Sequence, residues 1–166
     1  RIFSVLQASH KPLACTDLVV SPYNMRNFFR RLVEVEIKNA KAGLPAYIFL
    51  KLNSLTDEGM IRLLYKAGAA GVEVRLIVRG ACCLKPQAQG LSENIWAVSI
   101  VDTFLEHARI WYFGNEGHPK IYMGSPDWMR RNLYRRIEAV TPILDPDLKQ
   151  ELIDMLSIQL SDKRKA

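Results

Sequence analysis

The first ordered pattern along the chain is a short apolar triplet, Leu18-Val19-Val20, then Ser21-Pro22, then apolar residues at Met25, Phe28, Phe29, Leu32, Val33, Ile37 and Ala40. The triplet predicts a buried strand. The three-to-four spacing predicts a long amphipathic helix, with Ser21 as its cap, proline at its first position and Gly43 at its end. Tyr47-Ile-Phe-Leu-Lys-Leu predicts a second strand, and Ser54-Leu-Thr-Asp57 has the form of a capping box opening a second helix that stops at Gly68 to Gly71. Val72 to Val78 alternates and then runs continuously apolar, as a buried parallel strand does. The opening therefore reads β-α-β-α-β.

Beyond Arg79-Gly80 the pattern is of strands without helices between them: Ile95 to Val101, Arg109 to Phe113, Ile121 to Met123 and Ile137 to Ile143. Asp145-Pro146-Asp147 starts a final helix with Leu148, Leu152, Met155, Leu156 and Leu160 on one face. This order predicts an α/β domain with a mixed sheet between helices, over residues 17–166. Residues 1–16 carry no period and read as the tail of a preceding domain plus a linker, so the chain reads as a piece of a longer protein.

Composition narrows the picture. Apolar residues make up 49% and charged residues 24% of 166, the balance of a globular domain and not of a disordered or membrane-spanning chain. The net charge of +6, with basic residues concentrated at 26–41 and 130–136, favours anionic partners. Cys15, Cys82 and Cys83 match no disulfide or metal spacing; the adjacent pair reads as buried packing, and a reducing cytoplasm is the expected compartment, with membrane association of a larger parent left open.

The candidate chemistry centres on Phe104-Leu-Glu-His107-Ala-Arg109 and Gly124-Ser125-Pro-Asp127. Strand alternation would place His107 and Arg109 on one face, where an imidazole can move a proton and a guanidinium can fork onto phosphate oxygens. A Gly124-Ser125 turn lets backbone amides and a hydroxyl approach an anion. The order resembles the phospholipase-D signature HxK, four residues, Asp, six residues, GSxN, but in degenerate form: Arg109 replaces lysine, Gly114 stands at the aspartate position, the spacing is longer by three, and Asp127 replaces asparagine. One half-site is present. Arg79, after Leu76-Ile77-Val78 and before Gly80, falls at the carboxyl end of a parallel strand, where open α/β sheets bind ligands. Lys51 and Asn53 leave the neighbouring strand at the same edge but make the weaker case. Arg130, Arg131, Arg135 and Arg136 follow the Gly-Ser element, with Tyr134 the single interleaved aromatic; that favours a phosphate chain over nucleic acid, which calls for stacking platforms. His10 and His118 have no partners at useful spacing.

Six segments, read together, resemble the C-terminal domain of bacterial polyphosphate kinases that work through a phosphohistidine: Ser21-Pro-Tyr-Asn-Met-Arg26, Leu50-Lys-Leu-Asn53-Ser-Leu, Leu76-Ile-Val-Arg79-Gly-Ala-Cys-Cys83-Leu, Gly90-Leu-Ser-Glu-Asn-Ile95, Phe104 to Arg109, and Asp127-Trp-Met-Arg-Arg-Asn132-Leu-Tyr-Arg-Arg136. The resemblance implies a phospholipase-D-like fold and reversible transfer of the terminal phosphate of ATP to inorganic polyphosphate, with Mg2+ held mainly by parts outside this chain. It implies ATP or ADP contacts at Arg79 and His107, with His107 in a supporting role because the phosphorylated histidine belongs to the preceding domain. The candidates left for polyphosphate are Arg109, Ser125, Arg130, Arg131, Arg135 and Arg136. The fragment alone is expected to be inactive, its partners being ATP or ADP, polyphosphate, the preceding domains and further copies of the full-length protein. Ala108, Pro126 and Tyr134 stand where the family commonly has serine, alanine and aspartate. Two other readings compete: a non-catalytic polyanion module, and a phosphodiesterase dimer pairing two copies of His107.

Overall fold

The computed structural model describes residues 18–101 and 103–162, so the reading of residues 1–16, with Cys15 and His10, lies outside the described residues. In chain order the strands are β1 (Val19–Ser21), β2 (Tyr47–Leu52), β3 (Glu73–Val78), β4 (Ile95–Val98), β5 (Ile110–Phe113), β6 (Lys120–Gly124) and β7 (Glu138–Ile143). The helices are α1 (Met25–Lys41), α2 (Glu58–Ala69), α3 (Arg130–Tyr134) and α4 (Pro146–Ser161), with a short 3-10 turn at Asn115–Gly117. The strands form a mixed sheet in the order β1-β7-β6-β5-β2-β3-β4. β2, β3 and β4 run parallel, and β5, β6, β7 and β1 alternate antiparallel.

Strand alternation divides the core into two layers. Ile48, Leu50 and Leu52 of β2, Val74, Leu76 and Val78 of β3, and Trp111 and Phe113 of β5 face α1 and α2. Phe29 of α1 packs its ring 4.9 Å from Trp111 and 5.5 Å from Trp128. On the opposite face Ile77, Ile110, Tyr112 and Ile121 meet Leu156 of α4, with Leu152, Met155 and Leu160 partly buried beside them. Leu148, expected on that face, is 52% exposed and stands outside this cluster.

The expected elements are present, with local corrections. Helix α1 begins at Met25 and not at Pro22: Ser21 is the last residue of β1, its hydroxyl donating to the Asn132 carbonyl, while Asn24 takes the cap position and its side chain accepts from the Val20 amide at 2.9 Å. Helix α2 is capped by Asp57, which accepts from the Met60 amide at 3.0 Å, so the Ser54 capping-box reading is three residues early. β4 stops at Val98 and β5 starts at Ile110, leaving Arg109 just outside the strand. A short helix, α3, lies within what sequence showed only as a basic run. Cys82 and Cys83 are both exposed, not a buried pair.

Register decides where chemistry can assemble. β5 runs antiparallel to β2 with Lys51 opposite Ile110, and β6 runs antiparallel to β5 with Met123 opposite Ile110. The carboxyl ends of β2, β3 and β6 and the entrance of β5 therefore meet at one edge of the sheet. Gly80 lets two of them close up there: a side-chain carbon at this position would lie 2.9 Å from the Asn53 carbonyl oxygen.

Candidate active site

At this edge Arg79 and His107, separated by 28 residues, come together: Arg79 Nη2 lies 3.3 Å from His107 Nδ1. A guanidinium only donates, so Nδ1 must accept, and a neutral ring in this arrangement carries its proton on Nε2. The proton-bearing edge is then the one left for a ligand. Arg79 is fixed from its backbone, its amide donating to the Leu52 carbonyl at 3.2 Å and its carbonyl accepting from the Ser99 hydroxyl at 3.2 Å. Its side chain leaves the sheet at a parallel strand's carboxyl end, as the Leu-Ile-Val-Arg-Gly order predicts.

His107 does not lie in a strand, and it is held through its own carbonyl oxygen. That oxygen accepts from Arg109 Nη1 at 3.1 Å and from Asn53 Nδ2 at 3.4 Å. The Arg109 guanidinium in turn meets Asp127 at 3.3 Å through both Nε and Nη2, with side-chain exposures of 15% and 8% for the two partners. Asp127 also accepts the backbone amides of Asn53 at 2.8 Å and Ser54 at 3.1 Å. One carboxylate thus ties the end of β2, the entrance of β5 and the turn after β6 into a frame under the histidine. Arg109 belongs to that frame: each of its three guanidinium nitrogens donates to a protein acceptor.

The other sequence candidates divide the same way. The Ser125 hydroxyl donates to the buried Glu138 and accepts from the Ala139 amide at 3.3 Å, so the Gly-Ser turn closes on the protein itself. Glu138 is held from its second oxygen by Asn132 Nδ2 at 2.6 Å. Arg130, Arg131, Arg135 and Arg136 are exposed, on and just after α3, which hangs from the same turn. Lys51 points to the other face, where it is buried with Glu106 and with Gln159 at 2.7 Å; it anchors the segment before His107 to α4 and has no access to the edge. His118 is exposed and apart from the site.

Among the described residues no group of three or more His, Cys, Asp or Glu side chains is placed to hold a metal ion. Asp127 is filled by two amides and a guanidinium. The described residues therefore do not fit a divalent-cation site.

The sequence pattern of the family described as "Polyphosphate kinase C-terminal domain 2" matches residues 18–166. The chain belongs to this polyphosphate kinase family. It is 48% identical over all 166 residues to the polyphosphate kinase of Escherichia coli strain K12, of which it covers 24%. The crystal structure of polyphosphate kinase from Porphyromonas gingivalis superposes on 99% of the chain with a TM-score of 0.94 at 47% identity, and the match covers 25% of that molecule. The chain thus spans about a quarter of the length of the polyphosphate kinases it matches. The phospholipase D family member Nuc from Salmonella typhimurium matches 90% of the chain, and 95% of its own, with a TM-score of 0.62 at 14% identity, a likeness of fold alone. The expected phospholipase-D-like α/β architecture and the polyphosphate kinase resemblance are both borne out.

Two residues of this site were undervalued by sequence reasoning. Asn53 and Asp127 hold His107 and Arg109, and each sits inside a segment that carries the family resemblance. Nothing in linear spacing signals that an aspartate at 127 reaches back to amides at 53 and 54; only the strand register brings them together.

Proposed function

We propose that this chain supplies the nucleotide-phosphate side of an ATP:polyphosphate phosphotransferase site, completed by a histidine nucleophile outside this chain. The observation that carries the reading is the Arg79–His107 contact at 3.3 Å on an open strand edge, with the His107 backbone braced by Arg109 and Asn53. Arg79 binds oxygens of the terminal phosphates of ATP or ADP through its guanidinium. The Nε2–H of His107 donates to a phosphate oxygen on the side facing the absent nucleophile.

In the forward step a phosphorus–nitrogen bond forms to that external histidine while the bond from the terminal phosphorus to the bridging oxygen breaks, and the negative charge leaves on ADP. Two donors already fixed in place stabilise that charge without reorganising when it appears. Arg109 and Ser125, filled by Asp127 and Glu138, hold the frame; exposed Arg130, Arg131, Arg135 and Arg136 attract the polyphosphate chain. Mg2+ is assigned to groups elsewhere in the full-length protein, and no step here runs through it. The preceding domains and further copies of the full-length protein are the assigned protein partners. A cytoplasmic location fits this chemistry, and no helix among the described residues is long and apolar enough to cross a membrane.

The test is an amide NMR titration of the chain with magnesium-ATP, then with polyphosphate at two salt concentrations. Shifts clustered at Arg79 and His107 that vanish in Arg79→Ala support the reading; a half-site of about millimolar affinity, near 4 kcal/mol, is within reach. If ATP moves nothing while any polyanion shifts the 130–136 arginines with steep salt dependence, the chain is a polyanion-binding module instead. Hydrolysis of a simple phosphodiester by the chain alone would favour the dimeric phosphodiesterase.

A further inference from the structure

Helix α1 brings a further arginine toward the start of α2 and the end of α3. Arg26 sits in its first turn, its guanidinium 5.4 Å over the ring of Tyr134 and against Gly59 at the start of α2. A side-chain carbon at Gly59 would collide with the guanidinium, whose Cζ lies 3.6 Å from that position, so glycine here makes room for the arginine. Arg26 Nε is buried without a hydrogen-bond partner. A partnerless buried guanidinium N–H is expensive unless a ligand satisfies it.

Two cavities meet at this point. One, of about 540 Å³, is lined by Asp57, Glu58, Gly59, Arg130, Tyr134 and Arg135. The other, of about 280 Å³, runs between α1 and α2 past Arg26, Arg30, Gly59, Arg62 and Lys66. The carboxylates on the rim each have a partner: Asp57 caps the Met60 amide at 3.0 Å, Glu58 pairs with Arg62 at 2.6 Å, and Glu34 of the second cavity pairs with Arg30 at 3.7 Å. The cationic groups of Arg26, Arg130 and Arg135 remain for an anion. The wall is joined to the first site, since the Thr56 and Asp57 amides donate to the Trp128 carbonyl at 2.9 and 2.8 Å, one residue from Asp127.

We propose that Arg26, Arg130 and Arg135, gathered around Gly59 and Tyr134, form a second anion site that takes phosphate groups of an inorganic polyphosphate chain away from its reacting end. The inference rests on the phosphate-transfer reading above and extends it to a position no strand edge provides. A nucleic acid suits the cavity less well, because one face of its single aromatic, Tyr134, is taken by the Arg26 guanidinium, whereas single-strand binding calls for several stacking platforms.

The experiment titrates the 166-residue chain with sodium tripolyphosphate, and separately with magnesium-ATP, following backbone amide and arginine Nε–H signals by NMR. Tripolyphosphate is expected to move the Gly59 amide and the Nε–H groups of Arg26, Arg130 and Arg135. Its affinity should fall about tenfold in Arg26→Ala and in Gly59→Ala, with magnesium-ATP shifts at Arg79 and His107 retained. Should either variant lose its native spectrum, the double replacement Arg130→Ala with Arg135→Ala, at exposed positions, carries the same expectation. Unchanged affinity in the folded variants, or shifts confined to Arg79 and His107, overturns the second site. Tighter binding of a thymidine oligonucleotide than of tripolyphosphate at these residues overturns it in favour of nucleic acid. A silent Arg79 and His107 under magnesium-ATP, with the Arg26 response intact, removes the phosphate-transfer reading and leaves the anion site standing.

Discussion

Arg79 and Arg109 carry the same guanidinium at the same edge of the same sheet, yet the fold gives them opposite tasks. Arg109 is mostly buried and faces Asp127 through two nitrogens and the His107 carbonyl through the third. Arg79 has a histidine nitrogen as its side-chain partner and opens to solvent. A charge that is buried and paired holds structure, and removing one partner strands the other; a charge left open binds and costs little to remove. The comparison teaches that an arginine near a phosphate motif is a ligand only if the protein has not already used its donors.

The largest expected effect comes from breaking the closed side. Asp127→Ala leaves Arg109 buried without its carboxylate and releases the Asn53 and Ser54 amides, and should cost about 3–5 kcal/mol in urea unfolding. Replacing both partners, Asp127→Ala with Arg109→Ala, should cost clearly less than the sum of the single variants, because no buried charge is then stranded. Equal or greater cost would dissolve the contrast. On the open side, Arg79→Ala should weaken magnesium-ATP binding about tenfold, read by NMR titration, while unfolding stays within about 0.5 kcal/mol of the parent. A loss of stability of several kcal/mol in Arg79→Ala would place both arginines in one structural class.

The smallest effect concerns a second committed charge, Glu36 of α1, which is fully buried and accepts the Asn115 amide at 2.7 Å and the Tyr47 amide at 3.3 Å. Burial pushes its carboxyl above the ordinary value of 4.5, against the pull of those two amides. The folded chain therefore holds this proton more tightly than the unfolded one. Its contribution is full below pH 4.5 and is lost as pH rises through the raised value. Glu36→Gln keeps an acceptor without the charge, and should flatten that part of the stability profile above pH 4.5 in urea melts taken across pH. An unchanged slope would remove Glu36 from the committed group.

Much of this architecture was legible because periodicity is a local signal. Seven apolar positions at helical spacing predicted α1, and Val72 to Val78 could be read as a parallel strand from its continuous apolar run. Arg79 was readable for the same reason, since a residue directly after such a strand must leave at its carboxyl end. Helix α3 was not readable: five residues with one buried leucine and one buried asparagine are too few to display a period. Nor was the Ser21 cap correctly placed, because Ser21 is held by the carbonyl of Asn132, over a hundred residues away.

The sequence by itself determined the order of the strands and of the three long helices, the basic balance, the family and the pairing of Arg79 with His107 as candidates, all carried by residues close together or by motifs in fixed order. The tertiary structure alone decided which cations are free. Arg109 was drawn into a mostly buried pair with Asp127, Ser125 was bonded to Glu138, and Arg26 Nε was left without a hydrogen-bond partner beside Gly59. The physical reason is that a side chain's donors are allocated by strand register and burial, which join residues 53, 79, 107 and 127 across the sheet edge and which no local pattern contains.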